Sequence, residues 1–116
     1  MKKRSLILVL ALALLVTLLP ISSMAENADV TGKVVIYTSM YQDIIDMMDE
    51  ALAKEFPNCD VEFFYGGTGT LQTKLAGEME VGTLGCDMLM VAEPAYSLEL
   101  KEGGWLHPYL TDARNN

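Results

Sequence analysis

Hydrophobic residues fall into three short runs along the chain, and each run is followed by a helix-like pattern. The runs are residues 34–37, 61–65 and 87–91. The first run is unbroken, which predicts a strand that is buried on both faces, whereas the second is rich in aromatic residues and the third is apolar after Asp87; both are also predicted to be strands. A polar or glycine-containing turn follows each strand, and apolar residues then recur at helical spacing. The order β-α-β-α-β-α predicts an α/β fold, in which a parallel sheet forms the middle of three layers.

The first helix is predicted to begin directly after the first strand. Ser39 is placed to cap this helix, with the Gln42 side chain reaching back to the cap, and Pro57 ends the helical run. One face of the helix is apolar and consists of Tyr41, Ile44, Ile45, Met48, Leu52 and Phe56. Tyr41 is therefore predicted to be a core tyrosine.

The second turn, residues 66–70, contains three glycines in four positions. Such a turn exposes backbone amides that can hold an anion, although a plain flexible turn explains the glycines equally well. It is not a Walker loop, since no Gly-Lys-Ser/Thr follows, and not a dinucleotide fingerprint, since Gln72 replaces the last glycine. Thr70 is the expected cap of the second helix.

All three strand-to-helix turns are predicted to lie at the carboxyl edge of the sheet, where open α/β sheets bind ligands. The first turn carries Thr38 and Ser39, and the third carries Glu93 ahead of Pro94, which suits the first position of a helix. Helix N-termini at this edge favour anions. This edge is accordingly the predicted binding site.

Residues 1–25 have the organisation of a secretory signal peptide. A basic start, an apolar run over residues 6–19 and small residues up to Ala25 predict cleavage after Ala25. An uncleaved anchor is the alternative, but the run is shorter than the roughly 20 residues that span a bilayer. The chain is therefore expected to be exported to the periplasm or the extracellular space.

Composition restricts the chemistry of the expected mature chain. Removing the signal leaves 5 Lys/Arg against 16 Asp/Glu, so a nucleic-acid partner is excluded for lack of basic clusters. Cys59 and Cys86 precede the two outer strands, about two spacings of ~4.8 Å apart, which predicts free thiols. His107 is the single histidine, and it offers no metal-ligand cluster.

Three segments in this order resemble the first part of a type II periplasmic solute-binding protein, the receptor of an ABC importer. They are the strand ending in YTS, then FFYGGTGTLQTKLAGEME, then CDMLMVAEPAYSLELKEGGWLHPY. The resemblance is greatest to ferric-iron-type receptors and the related molybdate-type receptors. It implies a signal peptide over 1–25, a partial N-terminal lobe over 26–110 and a frayed tail over 111–116. These receptors have two lobes, so the chain is expected to be a fragment or a truncated product.

The resemblance also implies a function and a set of site residues. The ligand would be ferric iron or an iron chelate, or alternatively a small oxyanion, and a monomer would pass it to the membrane permease of an ABC importer. Ser39 and Thr68 match the hydroxyl residues of molybdate-type receptors, whereas Tyr41 and Glu93 lie roughly where ferric-type receptors hold metal. Tyrosine replaces a histidine there, and Glu93 is displaced by one residue. The full predicted binding set is Thr38, Ser39, Tyr41, Gly67, Thr68, Gly69 and Glu93.

Two other functions are alternatives to this one. A small exported enzyme could use the glycine-rich turn, but the chain has no nucleophile elbow and no Cys–His pair in sequence context, so no enzymatic activity is expected. A non-catalytic exported adaptor would suit the mature length equally well. No resident cofactor is predicted for any of these functions.

Overall fold

The computed structural model describes residues 27–109, which form one parallel sheet with three helices. In chain order the elements are β1 (Gly32–Thr38), α1 (Gln42–Glu55), β2 (Cys59–Tyr65), α2 (Thr68–Glu80), β3 (Met88–Met90) and α3 (Pro94–Glu102). The α/β class and the β-α-β-α-β-α order are confirmed. The predicted signal peptide, its cleavage site and the tail lie outside the described residues.

The strands are arranged in the order β2-β1-β3, and both pairings are parallel. This is the strand order behind the prediction about the cysteines, and it is confirmed. Cys59 begins β2 opposite Gly32, whereas Cys86 precedes β3 on the other side of β1. Both cysteines are free thiols.

Side chains of β1 alternate between the two faces of the sheet, as successive residues of a strand must. Tyr37 packs on one face in a buried cluster with Leu71, Leu75, Tyr96 and Leu100 of α2 and α3. Ile36 and Thr38 face the opposite side, where Ile45 is the buried residue of α1. The sheet is thus the middle of three layers, with one helix on one face and two on the other.

The start of α1 differs from the prediction. The helix begins at Gln42 with Tyr41 at the N-cap, without a side-chain cap, and the Gln42 amide donates to the Asp46 carboxylate at 2.8 Å. The predicted Ser39–Gln42 capping box is therefore wrong, because the Ser39 N–H extends the sheet ladder by donating to Met90. Tyr41 lies in the connecting turn and is 79% exposed, so the prediction of a core tyrosine is also wrong.

The other two helices begin within three residues of their predicted positions. α2 starts at Thr68 with Gly67 at the N-cap, so Thr70 lies inside the helix and is not its cap. The Leu71 N–H donates the first helical hydrogen bond, to the Gly67 carbonyl at 3.0 Å. The second half of the glycine-rich turn is therefore part of the helix. Pro94 occupies the first turn of α3, as predicted, and Gly103 ends that helix.

Candidate ligand-binding edge

The three strand-to-helix turns meet at the carboxyl edge of the sheet. The Ser39 N–H donates to the Met90 carbonyl, and the Gly66 N–H donates to the Thr38 carbonyl, both at 3.1 Å. Backbone hydrogen bonds therefore join the end of β1 to the exits of β2 and β3. We call this surface the carboxyl edge and define it as residues 38–41, 65–70 and 91–93.

Thr38 and Ser39 have different environments although they are adjacent. Thr38 is 1% exposed, and its hydroxyl oxygen accepts a hydrogen bond from the Met40 N–H at 3.1 Å. Its side chain therefore holds the first turn in shape, and a ligand at the surface would not reach it. Ser39 is half-buried at the rim and is the hydroxyl that the first turn offers to a ligand.

The N-terminus of α2 provides the strongest donor group of the edge. The first amides of a helix have no acceptor within it, and here no side chain caps them and no acidic residue lies in the first turn. These amides belong to Thr68, Gly69 and Thr70. Thr68 is half-buried, whereas Gly69 is exposed with open space where a Cβ would be. An anion can therefore approach these N–H groups closely.

The other two helix ends are less suited to an anion. The first turn of α1 contains Asp43, whose carboxylate offsets the positive end of the helix dipole. α3 has Glu93 at its N-cap and begins with Pro94, which has no N–H to donate. Positive potential at the carboxyl edge is accordingly concentrated at Gly67–Thr70 of the second turn.

Glu93 and two tyrosines add oxygen ligands to the same edge. Glu93 is half-buried, and within residues 27–109 no lysine, arginine or histidine lies within ion-pair distance of its carboxylate. Tyr65 ends β2 opposite Thr38 and is 57% exposed, and Tyr41 follows β1 and is 79% exposed, so both tyrosines belong to this edge. Tyr65 was predicted only as a strand residue, and its position directly before the glycines is the signal that could have identified it as an edge residue.

Metal ligation by Glu93 and Tyr41 remains a prediction. The two residues follow the neighbouring strands β3 and β1, so they belong to the same edge. The part of the chain from 27 to 109 contains no group of three or more His, Cys, Asp or Glu side chains that could hold a metal ion. The described residues of the edge thus offer a few hard oxygen atoms and a set of amides, which suits a chelated metal better than a bare ion.

A second polar cluster lies against the sheet away from this edge. The Glu78 carboxylate accepts hydrogen bonds from the Tyr37 hydroxyl, the Lys74 ammonium and the Gly85 N–H, each at 2.8 Å. We call these four residues the Glu78 clasp. The Lys74 nitrogen also lies 5.1 Å from the ring centroids of Tyr37 and Phe64. The members of the clasp bind one another, so its role is to fix the loop before β3.

The surroundings of the clasp shift the pKa values of its members. Burial would raise the pKa of Glu78, but hydrogen bonds from Lys74, Gly85 and Tyr37 outweigh burial and lower it. The hydrogen bond to Glu78 raises the pKa of Lys74, and burial together with the same carboxylate raises that of Tyr37. The lysine–carboxylate pair is therefore charged at neutral pH, while the tyrosine is neutral.

The lining of a cavity of about 260 Å³ beside β3 includes Cys86, Asp87 and His107. A thiol, a carboxylate and an imidazole are the groups of a nucleophilic site, but burial raises the pKa of the Cys86 thiol. A thiol that stays protonated is a poor nucleophile. The Asp87 carboxylate is also engaged, because it accepts a hydrogen bond from the Val35 N–H at 2.9 Å.

Comparison with known proteins does not assign the chain to a family. No protein-family model matches it, and no match is found among curated proteins or solved structures. Among residues 27–109, no helix is long and apolar enough to cross a membrane. The resemblance to solute-binding receptors therefore remains a prediction from the sequence.

Proposed function

We propose that the chain is the ligand-binding part of an exported solute-binding protein, with the fold of a partial first lobe of the type II class. It would serve an ABC importer without catalysing a reaction, and its ligand would be a ferric chelate. The observation that carries this proposal is the meeting of three strand-to-helix turns at one edge, with the uncapped start of α2 among them.

The amides of α2 support a ligand with negative charge. They lie at the positive end of a helix of 13 residues, and no acidic residue of its first turn offsets that potential. Ser39 in the first turn and Thr68 in the second turn add hydroxyl groups. The hydrogen bond from the Gly66 N–H to the Thr38 carbonyl joins these two turns. Carboxylate or phosphate groups of a chelator would find donors here, which a bare cation would not use.

Side-chain oxygen atoms at the edge support iron as the metal of this anionic chelate. Glu93 brings a carboxylate, and Tyr41 and Tyr65 bring phenols, to the edge that carries the amides. Ferric iron is a hard cation that prefers such oxygen ligands, and a chelator would supply the remaining ones. A chelate with anionic arms therefore uses both halves of the edge, the amides of α2 and the oxygens of the first and third turns.

A small oxyanion is the second candidate, and the hydroxyls of Ser39 and Thr68 favour it. These hydroxyls and the amides of α2 are the donors that a tetrahedral oxyanion requires. The Glu93 carboxylate opposes this candidate, since it would repel an anion that carries no metal. The two candidates thus differ in the sign of the effect that Glu93 has on binding.

The experiment that separates them is calorimetric titration of the full chain with ferric citrate, iron-free citrate and molybdate. We expect Glu93→Gln to weaken ferric citrate binding about tenfold, because an iron ligand is lost, and to strengthen molybdate binding, because repulsion is removed. Thr68→Ala should weaken both. Thr83→Ala is the matched control, since this exposed threonine follows α2 at the opposite end of the sheet.

Three results would contradict the proposal. Equal binding of ferric citrate and iron-free citrate would show that iron is not recognised. Preferential binding of molybdate would favour the oxyanion candidate over the ferric chelate. Binding that Thr83→Ala weakens as much as Thr68→Ala does would place the site away from the carboxyl edge.

A further inference from the structure

Thr38 lies at the point where the three strand-to-helix turns are tied together. It ends β1 and is in register with Tyr65 and Met90, the last residues of β2 and β3. Its carbonyl accepts a hydrogen bond from the Gly66 N–H, and the N–H of the next residue, Ser39, donates to the Met90 carbonyl. The backbone directly after Thr38 therefore determines where the first turn lies relative to the other two.

The side chain of Thr38 is unusual for its surroundings. The rest of the strand core, residues 34–37, consists of valine, isoleucine and tyrosine. Tyrosines aside, Thr38 is the one buried residue with a polar side chain among residues 27–109. A valine would have nearly the same branched shape, and a buried hydroxyl costs free energy unless it is hydrogen-bonded. Packing therefore does not explain a threonine here, whereas its hydrogen bond does.

That hydrogen bond holds the first turn. The Met40 N–H, two residues further on, donates to the Thr38 hydroxyl oxygen at 3.1 Å, which is the contact of a threonine turn. The Ile45 N–H donates to the Tyr41 carbonyl at 3.1 Å and is part of the first turn of α1. Residues 39–41 thus connect the ladder of the sheet to the first turn of the helix, and the Thr38 hydroxyl fixes their backbone.

We propose that Thr38 is a positioning residue of the carboxyl edge. Its buried hydroxyl sets the conformation of residues 39–41 and so places Ser39 and Tyr41 relative to the first amides of α2. Thr38 is 1% exposed, so it acts through these neighbours and not by contact with a ligand. The inference rests on the proposed function of the edge and adds to it the residue that organises the site.

Two substitutions separate the hydroxyl from the packing of Thr38. Thr38→Val keeps the branched shape and removes the acceptor, and we expect it to weaken the binding of ferric citrate by about threefold to tenfold. Thr38→Ser keeps the acceptor and should bind ferric citrate within about twofold of the wild-type chain. Thr38→Ser should nevertheless have the lower urea midpoint, because a methyl group is lost from a buried site. Calorimetry and urea denaturation of the full chain measure the two orders.

Ile36→Val is the matched control for a change in the same layer. Ile36 is 3% exposed and lies two residues before Thr38, on the same face of β1. The substitution removes a buried methyl group and leaves the Thr38 hydroxyl in place, so the urea midpoint should fall while the affinity for ferric citrate stays unchanged.

Exchange of the Met40 amide hydrogen with solvent gives a readout that needs no ligand. In the free chain this amide should exchange about tenfold faster in Thr38→Val than in the wild-type chain, because its acceptor is lost. In Thr38→Ser and Ile36→Val it should exchange at nearly the wild-type rate.

Three results would overturn the proposal. The first is equal exchange of the Met40 amide in Thr38→Val and the wild-type chain, and the second is equal affinity of these two chains for ferric citrate. The third is a loss of affinity that follows the urea midpoint across all three variants, since Thr38 would then serve stability alone. A wild-type chain that does not bind ferric citrate would overturn the proposed function instead, and exchange of the Met40 amide would still decide whether Thr38 positions the turn.

Discussion

Glycine at position 85 leaves the space that the Glu78 clasp occupies. A Cβ at this position would lie 2.8 Å from the Glu78 carboxylate and would also collide with the Tyr37 hydroxyl. Both atoms are held by hydrogen bonds to each other, so neither can move without breaking the clasp. The loop before β3 therefore depends on this glycine for close approach to the helix.

Alanine substitutions at two glycines should have opposite effects on stability. Gly85→Ala is expected to lower the free energy of unfolding by about 1–3 kcal/mol, because the clasp is overpacked. Gly77→Ala is expected to raise it by about 0.5–1 kcal/mol, because this residue lies within α2 with open space around its Cβ position. Urea denaturation of both variants measures the difference. A Gly85→Ala variant as stable as Gly77→Ala would contradict the geometry of the clasp.

Acid should weaken the clasp because the folded-state pKa of Glu78 lies below its ordinary value of 4.5. The unfolded chain then takes up the proton at higher pH than the folded chain. The contribution of Glu78 to stability is therefore complete above pH 4.5 and is lost as the pH falls through the lower folded-state value.

The Glu78→Gln variant should show less of this pH dependence. At pH 7 it is expected to lose about 1–3 kcal/mol of unfolding free energy, since charged hydrogen bonds become neutral ones. Its difference from the wild-type chain should shrink towards pH 3. Glu80→Gln, an exposed carboxylate of the same helix, is the control. A difference that stays constant from pH 7 to pH 3 would show that the carboxylate charge does not stabilise the clasp.

At the scale of elements, the alternation of strands and helices was predictable because it follows from the hydrophobic pattern. The order β2-β1-β3 was a condition of the cysteine prediction, since crossover handedness alone does not determine it. The ends of the helices were less predictable. Capping boxes depend on side chains near a helix start, but here the Ser39 N–H completes the ladder to β3, a contact between distant parts of the chain. The local sequence cannot predict that contact. The helix α1 was therefore predicted to begin too early, and Tyr41 was predicted to be buried.

The candidate site was predictable to a similar extent. That the three turns share one edge follows from parallel strands alone, whereas the choice of Ser39 and Thr68 within those turns came from the resemblance to molybdate-type receptors. The use of the Thr38 hydroxyl by the Met40 N–H depends on a turn conformation that residue types do not determine. In the Glu78 clasp, the hydrogen bond between Tyr37 and Glu78 joins residues 41 positions apart in the chain. A local sequence pattern could not predict this contact.

At the scale of the whole molecule, residues 27–109 contact a ligand at the carboxyl edge from one side only. Water remains on the open side, and each amide or hydroxyl contact then competes with hydration. Enclosure between two lobes is what the resemblance to solute-binding receptors implies for tight binding. The described surface alone is therefore expected to bind in about the millimolar range, roughly −4 kcal/mol.

The most direct test is a titration of the isotopically labelled chain with gallium citrate, a diamagnetic substitute for ferric citrate, followed by amide NMR shifts. The account predicts that the largest shifts occur at Ser39, Thr68 and Gly69, with half-saturation at about millimolar concentration. The amides of the Glu78 clasp should stay nearly unchanged. Shifts concentrated at the clasp, or an unchanged spectrum at about ten times that concentration, would contradict the assignment of the carboxyl edge as the binding site.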